Sequence, residues 1–340
     1  MVADLHRRVV EIAVENKVVA GRRMRVDTTV VETNIHYPTD SSLLGDGARV
    51  LTRVMKKVEH AAVGFVSKVR NRMRTVRKKV VAIAIAARQK GAAGEEKRRH
   101  IYKGLLSVTR KIVNQAKRVM AEVDQFGRRK RKQFSGLRSQ LATMVERVEQ
   151  VAKQTRTRVF SGNTKFEEKL VSVFEPQTEI IRKGKASKPT EFGKLVKVQE
   201  AENQIITHFE VYEDRPTDSA LLVNAVEIHE QQTGSMPRIV AADAGFYSQA
   251  NERQLQEMGV KNVSVPSRNT RSPQRRSHQK KRAFKNAQRW RTGCEGRISV
   301  LKRRHGLNRC LYRGQNGMKR WVGLGVIADN LINIGTCLAK

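Results

Sequence analysis

Three acidic residues occupy places where an acid is unusual. Asp27 interrupts a β-branched run of mostly Val and Thr (26–33), Asp243 closes the apolar stretch "RIVAADAGFYS" (238–248), and Glu295 is the only acid in "RWRTGCEGRISVLKRRHGLNRCLYRG" (289–314). Asp is among the residues most depleted from strands, so a purely structural role at 27 fits poorly. An edge-strand or strand-end Asp is the ordinary alternative. An apolar run that ends at a carboxylate and then a glycine delivers charge to the rim of a sheet, where ligands of open α/β sheets bind. A carboxylate held there is a hard oxygen ligand for a divalent cation. On its own helix, Glu295 reads most simply as an ion-pair partner of Arg291, four residues earlier.

The elements that must position these acids follow from the texture of the chain. Residues 1–21 supply one helix, and 26–33 a strand. From 45 to 160 apolar residues recur three and four apart, as in Val50, Val54, Val58 and Ile101, Leu105, Val108, Ile112, with no proline between Pro38 and Pro176. Glycine and charge clusters at 89–97 and 126–136 break this period, which predicts a helical hairpin or small bundle. From Glu168 onward the pattern predicts strands at 169–176, 191–201 and 204–214. A helix over 216–234 follows, capped by Thr217 or Asp218 and ended by Gly234. Next come a strand ending at Asp243, a helix over 249–258, a strand over 262–267 and a helical period over 289–314.

Charge restricts the partners. The chain carries 68 Lys and Arg against 32 Asp and Glu, a net +36. Residues 45–160 hold 31 of those cations and only 8 acids, and Ser267 to Arg291 contains ten cations and no acid. A solvated helical face normally mixes signs. Nucleic acid is the default polyanion, with an anionic membrane surface as the competing partner. No run of about 18 apolar residues and no apolar leader are evident, which predicts a soluble, intracellular chain. Cys294, Cys310 and Cys337 are too few and too far apart for a zinc site, and the eight histidines include no pair at ligand spacing.

The order strand with Asp, strands, helix, strand ending in Asp, helix, strand, helix with Glu resembles the ribonuclease-H-like fold that carries a DDE triad. "RVDTTVVETNIHYPTDSSLLGDG", "ASKPTEFGK" (186–194), "ADAGFYS" and "NLINIG" resemble DDE transposases of bacterial insertion sequences, of the ISNCY-like group, over nearly the whole chain. Arg291, Glu295 and Lys302 also fall on the last three positions of the Tyr-x2-Arg-x3-Glu-x6-Lys signature of the wider superfamily, while Gln288 stands at the tyrosine position.

The resemblance implies an α/β, ribonuclease-H-like core, a mixed sheet flanked by helices, with a large basic helical insertion after the first strand. The expected domains are 1–44, 45–165 and 166–340. It implies DNA strand cleavage and strand transfer by two-metal phosphoryl transfer. Asp27, Asp243 and Glu295 would act as catalytic carboxylates holding two Mg²⁺ ions, for which Mn²⁺ can substitute. The expected partner is double-stranded DNA, both the terminal inverted repeats and the target, bound by a homodimer in the bacterial cytoplasm at the nucleoid, with no membrane. Arg291 and Lys302 would contact DNA near the scissile phosphate. Arg128, Arg129, Lys130, Arg131 and Lys132, with Arg275, Arg276, Lys280 and Lys281, would hold the phosphate backbone. Such transposases carry a helix-turn-helix region before the first catalytic strand, whereas 1–21 supply one helix. The expectation is a truncated copy, the alternative being that end recognition has moved into the basic helices. A DNA-binding remnant without cleavage is the second functional reading.

The remaining acids read differently. Glu32, an odd number of residues beyond Asp27, faces the other side of a strand. Asp40 suits a helix N-cap, and Asp214 and Asp218 suit turn and cap chemistry around Pro216.

Overall fold

The computed structural model describes all residues except 63, 64, 66 and 183–188. Residues 186–188 of "ASKPTEFGK" therefore lie outside the described residues. The chain divides into two units, one of Met1–Asn34 with Glu179–Lys340 and the other of Ile35–Thr178. In chain order the helices are α1 (Val2–Glu15), α2 (Asp40–Ala61), α3 (Met73–Ala86), α4 (Ala92–Asp124), α5 (Arg128–Phe160), α6 (Leu222–Thr233), α7 (Gln249–Glu257), α8 (Pro273–Lys280), α9 (Arg282–Arg304) and α10 (Gly314–Leu338). The strands are β1 (Arg23–Thr33), β2 (Glu179–Ile181), β3 (Glu191–Glu200), β4 (Ile206–Val211), β5 (Ile239–Ala241), β6 (Asn262–Ser264) and β7 (Arg309–Cys310).

Side-chain alternation along β1 organises the first unit. Met24 and Val26 point into a core shared with Leu222, Val226, Val240, Phe246 and Leu255. Val31, on the opposite parity, lies with Val196, Val198, Leu301, Met318 and Val322. Both faces of the central strand are thus covered, which explains its almost continuous apolar and β-branched sequence. The strand order is β2-β3-β1-β5-β6, with β4 also on β3 and β7 on β1. β1 runs antiparallel to β3 and parallel to β5; β3 and β4 are antiparallel, β5 and β6 parallel. This mixed sheet with flanking helices is compatible with a ribonuclease-H-like core.

Local chemistry sets the helix ends. α6 follows a single 3₁₀ turn (Asp218–Leu221) and stops at Gly234, whose φ of +68° is the left-handed conformation that glycine adopts without strain. Ser248 and Ser272 cap α7 and α8 by accepting from the backbone N–H groups of Asn251 and Arg275. The motif "NLINIG" belongs to α10. There Asn330 Oδ1 accepts from Ile206 N and its Nδ2 donates to Ile206 O, both at 2.8 Å, so one side chain satisfies the backbone groups at the start of β4. Arg297 and Asp329, both buried, pair at 2.7 Å and tie α9 to α10.

By length and composition α10 is apolar enough to cross a membrane, unlike any segment read from the sequence. In this structure Met318, Val322, Val326, Ile327 and Ile334 bury one of its sides in the first unit.

In the second unit α2 to α5 share one core built from Leu44, Leu51, Met55, Leu105, Ile112, Leu141 and Val148. The breaks expected near 89–97 and 126–136 fall at 87–91 and 125–127. Thr39 caps α2 by accepting from Ser42 N at 3.1 Å, one residue before the Asp40 expected from sequence. Asp40 is instead buried, paired with Arg158 Nε at 2.6 Å and accepting from Gln154 Nε2 at 3.2 Å. The stretch 169–176, expected as a strand, has no regular structure; Leu170 and Val173 pack irregular backbone against the helical core. Its apolar spacing serves burial on helices, which period alone does not distinguish from a strand.

Candidate active site

Asp27 faces the α9 side of the sheet, on the same parity as Arg25 and Val31. Its Oδ1 accepts from Thr28 N at 2.8 Å, and its Oδ2 lies 3.6 Å from Arg291 Nη1. The same guanidinium donates through Nη2 to Glu295 Oε1 at 2.8 Å. Arg291 therefore joins the first and last of the three acids expected from sequence. The intrahelical pair of Arg291 and Glu295 exists, and it is one arm of a larger contact. Glu295 is 63% exposed while Arg291 is 13% exposed, so the acid stands on the solvent flank of α9. The inward stripe is formed by Phe284, Ala287, Cys294, Arg297 and Leu301.

Asp243 lies just past β5, with only Ala242 between. The parallel ladder pairs Arg25 with Ala241 as its last register position, and Asp27 and Asp243 each lie two residues beyond it. Asp243 Oδ1 accepts from Gly245 N at 2.7 Å and so caps the 3₁₀ turn Ala244–Phe246. Gln288, at the signature's tyrosine position, donates from Nε2 to Ala242 O at 3.2 Å and to Ser264 O at 2.5 Å. This amide fastens α9 to the ends of β5 and β6 beside Asp243.

Asp218 opens the 3₁₀ turn before α6, in keeping with turn chemistry, and its side chain makes further contacts. Thr28 Oγ1 donates to its Oδ1 at 3.1 Å, and its Oδ2 borders Gly245 together with Asp243 Oδ1. A continuous run of contacts thus links Asp27, Thr28, Asp218 and the turn after Asp243. No sequence period points to Asp218, because the link is made by Thr28 on the opposite face of β1. Asp214 is exposed. Glu32 accepts from Arg309 Nη2 at 3.4 Å, away from Asp27.

The expected DNA-contacting cations fall into distinct settings. Arg275 is largely buried, pairing with Glu252, donating to Val265 O and stacking 4.7 Å from the Tyr247 ring centroid. Its guanidinium holds α7 and α8 together. Arg276, Lys280 and Lys281 are exposed, and Lys302 is half-buried. In the second unit Arg128, Arg129, Arg131 and Lys132 are exposed at the start of α5, and Lys130 Nζ lies 4.3 Å from the Phe126 ring centroid. Five cations in the first turns of a helix oppose its dipole, which favours anions at that end.

Negative potential is visible inside the first unit. Burial first, then the charges of Glu200 and Asp27, push the Cys294 thiol well above its ordinary range. All three cysteines are free. Asp27, Asp218, Asp243 and Glu295 offer only hard carboxylate oxygens, the donors that suit Mg²⁺ or Mn²⁺. Among the described residues, no three His, Cys, Asp or Glu side chains are grouped closely enough to hold a metal ion. Arg291 meanwhile balances two of the carboxylates, so it and a divalent cation would compete for the same oxygens.

The fold and these carboxylates define a class: an α/β protein with a mixed sheet, carrying one acid within its central strand β1, one just past the neighbouring parallel strand β5 and one on the helix α9. Residues 252–334 match the transposase DDE domain family, and that match contains α9 with Arg291, Glu295 and Lys302. It bears out the resemblance to DDE transposases; the narrower ISNCY-like group is not part of it. No curated protein and no solved structure matches the chain.

Proposed function

We propose that the chain is a transposase that cuts and joins DNA at the ends of an insertion sequence by metal-dependent phosphoryl transfer. The observation that carries this reading is the bridging of Asp27 and Glu295 by Arg291 on α9, inside the stretch that matches the transposase DDE domain. Asp27, Asp243 and Glu295 are not grouped closely enough in this structure to hold an ion; drawn together on DNA, they would hold Mg²⁺, with Mn²⁺ as substitute. When bound, a pair of such ions activates the attacking oxygen and stabilises the leaving one. The chain's own part is to fix the carboxylates and the DNA. Gln288 and the Ala244–Phe246 turn hold Asp243 at the end of β5. Arg291 and Lys302 would place the scissile phosphate beside acids that otherwise repel it, and the exposed cations would hold the backbone without reading its sequence. The basic helices of the second unit would act as a DNA-binding insertion, and a homodimer at the nucleoid would bring two element ends together.

The test uses element-end DNA with Mg²⁺ or Mn²⁺. The wild-type chain should nick it and leave 3′-hydroxyl ends, with Ca²⁺ supporting binding but little cleavage. Asp243→Asn and Glu295→Gln keep shape and remove charge, so both should abolish cleavage and spare DNA binding. Wild-type cleavage by Asp243→Asn would sink the mechanism. Binding without cleavage by every protein would favour the remnant reading.

A further inference from the structure

Two residues before Asp27, on the same face of β1, lies a buried arginine that the proposed chemistry does not use. Arg25 is 5% exposed. Its Nη2 donates to the fully buried Glu200, its register partner on β3, and its Nη1 donates to the backbone carbonyl of Trp290 on α9. Its guanidinium also lies 4.8 Å from the Trp290 ring centroid, with Arg23 at 5.5 Å from the same ring. One side chain therefore grips a strand on one side and a helix on the other, through a carboxylate, a carbonyl and an aromatic face.

The helix is shaped to receive it. Gly293 stands one turn after Trp290, and a Cβ there would press on the Arg25 guanidinium, with Cζ at 3.0 Å. The far end of an arginine usually swings aside at little cost. This one is pinned by Glu200 and by the Trp290 carbonyl, so yielding means giving up both. Trp290 immediately precedes Arg291, so whatever fixes its carbonyl fixes the rotation and height of the next residue. Helix geometry then fixes Glu295, four residues on.

We propose that Arg25 is a positioning residue: by locking the register of α9 on β1 through Glu200, Trp290 and Gly293, it places Arg291 and Glu295 against Asp27. The inference rests on the DNA-cleavage reading of that site. It assigns to Arg25 no contact with DNA or metal. It separates two roles for neighbouring arginines, with Arg25 holding the helix and Arg291 meeting the acids.

The experiment is a double-variant cycle on the full chain: wild type, Arg25→Lys, Gly293→Ala and the two combined. Cleavage rate at saturating DNA, DNA affinity, thermal melting and amide hydrogen exchange along α9 are measured for each. Gly293→Ala should lower the cleavage rate by about tenfold or more, the scale of disturbing a group that supports the site, while DNA affinity stays within about twofold because surface cations are untouched. Exchange at residues 291–295 should rise. With Lys at 25 the added methyl has no guanidinium to strike, so the alanine should cost little more; such non-additivity marks two residues that touch. Losses that multiply in the combined variant, or a wild-type rate from folded Gly293→Ala, would overturn the proposal. If Arg25→Lys does not fold, Glu200→Gln replaces it, and should raise exchange over the same residues. A wild-type chain that cleaves nothing counts against the transposase reading alone. In that case unchanged exchange along α9 in Gly293→Ala would still refute the register lock.

Discussion

Asp218 and Asp243 flank a single glycine: Asp218 Oδ2 and Asp243 Oδ1 each lie 3.0 Å from where a Cβ of Gly245 would stand. One acid comes from the turn before α6 and the other from the end of β5, and the absent side chain between them sets their separation. Gly245 N also donates to Asp243 Oδ1, so the same residue orients one of the two carboxylates.

Gly245→Ala should therefore crowd both acids without unfolding the chain. Apparent affinity for Mn²⁺ and cleavage rate should fall by roughly 10-fold, typical of a disturbed support around metal-ligating groups. Asp218→Asn should give a smaller loss, since Thr28 can still donate to the amide oxygen. Metal titration of cleavage checks both, and unchanged midpoints would remove Asp218 from the site.

Arg291→Ala and Lys302→Ala should lower both cleavage rate and binding to element ends, in contrast to the carboxylate variants, which should lose rate alone. Arg291→Ala also releases Asp27 and Glu295 from their shared guanidinium. Its half-saturating Mn²⁺ should therefore fall even as its rate is lower, a response Lys302→Ala should lack.

Replacing Arg128, Arg129, Lys130, Arg131 and Lys132 by Ala should weaken binding to all DNA sequences alike. The slope of log affinity against log salt should become shallower by about one unit for each phosphate that is no longer neutralised. Affinity at several salt concentrations decides this; an unchanged slope would make these cations a solvated face.

Acid should loosen the first unit before it loosens the second. Burial, and next the nearby Lys197, push His208 down to about 4 from 6.5. Burial likewise lowers His6 and His229. The unfolded chain takes up protons below 6.5 that the folded chain refuses until lower pH, so stability is full above 6.5 and falls as pH drops toward 4. For His208 the loss approaches about 3 kcal/mol, at about 1.4 kcal/mol per pH unit. Melting curves between pH 7.5 and 4.5 should show it, and His208→Gln should flatten the dependence.

Most of the element order is legible in the sequence because period and punctuation carry it: Gly234 closes α6, and β1 shows its β-branched texture, whereas α8 is hidden because the dense charge of 267–291 masks its period. The acids at 27, 243 and 295 stand out because each breaks the composition around it. Asp218 does not, since its role depends on Thr28, which no local pattern connects to a residue so far along the chain. Arg275 reads as a surface cation because charge density reveals nothing of burial, yet a single acid at Glu252 with the rings of Tyr247 and Phe284 draws it inward. Arg25 is hidden for the same reason. Its partners Glu200 and Trp290 become neighbours only once β3 and α9 have packed on β1.

Glu32 and Glu179 are both register partners of Gly193, one on each side of β3. The chain thus leaves the sheet after β1 and returns at β2 only two strand spacings away, about 10 Å. Residues 35–178 are consequently a detour with a narrow base. Within it α2 packs on α5, as in the Asp40–Arg158 pair, so the folded detour brings its own two ends together and shortens the effective loop that β1 must close to meet β3. The same narrow base means a few glycines could bridge the gap, making the detour excisable in a single deletion.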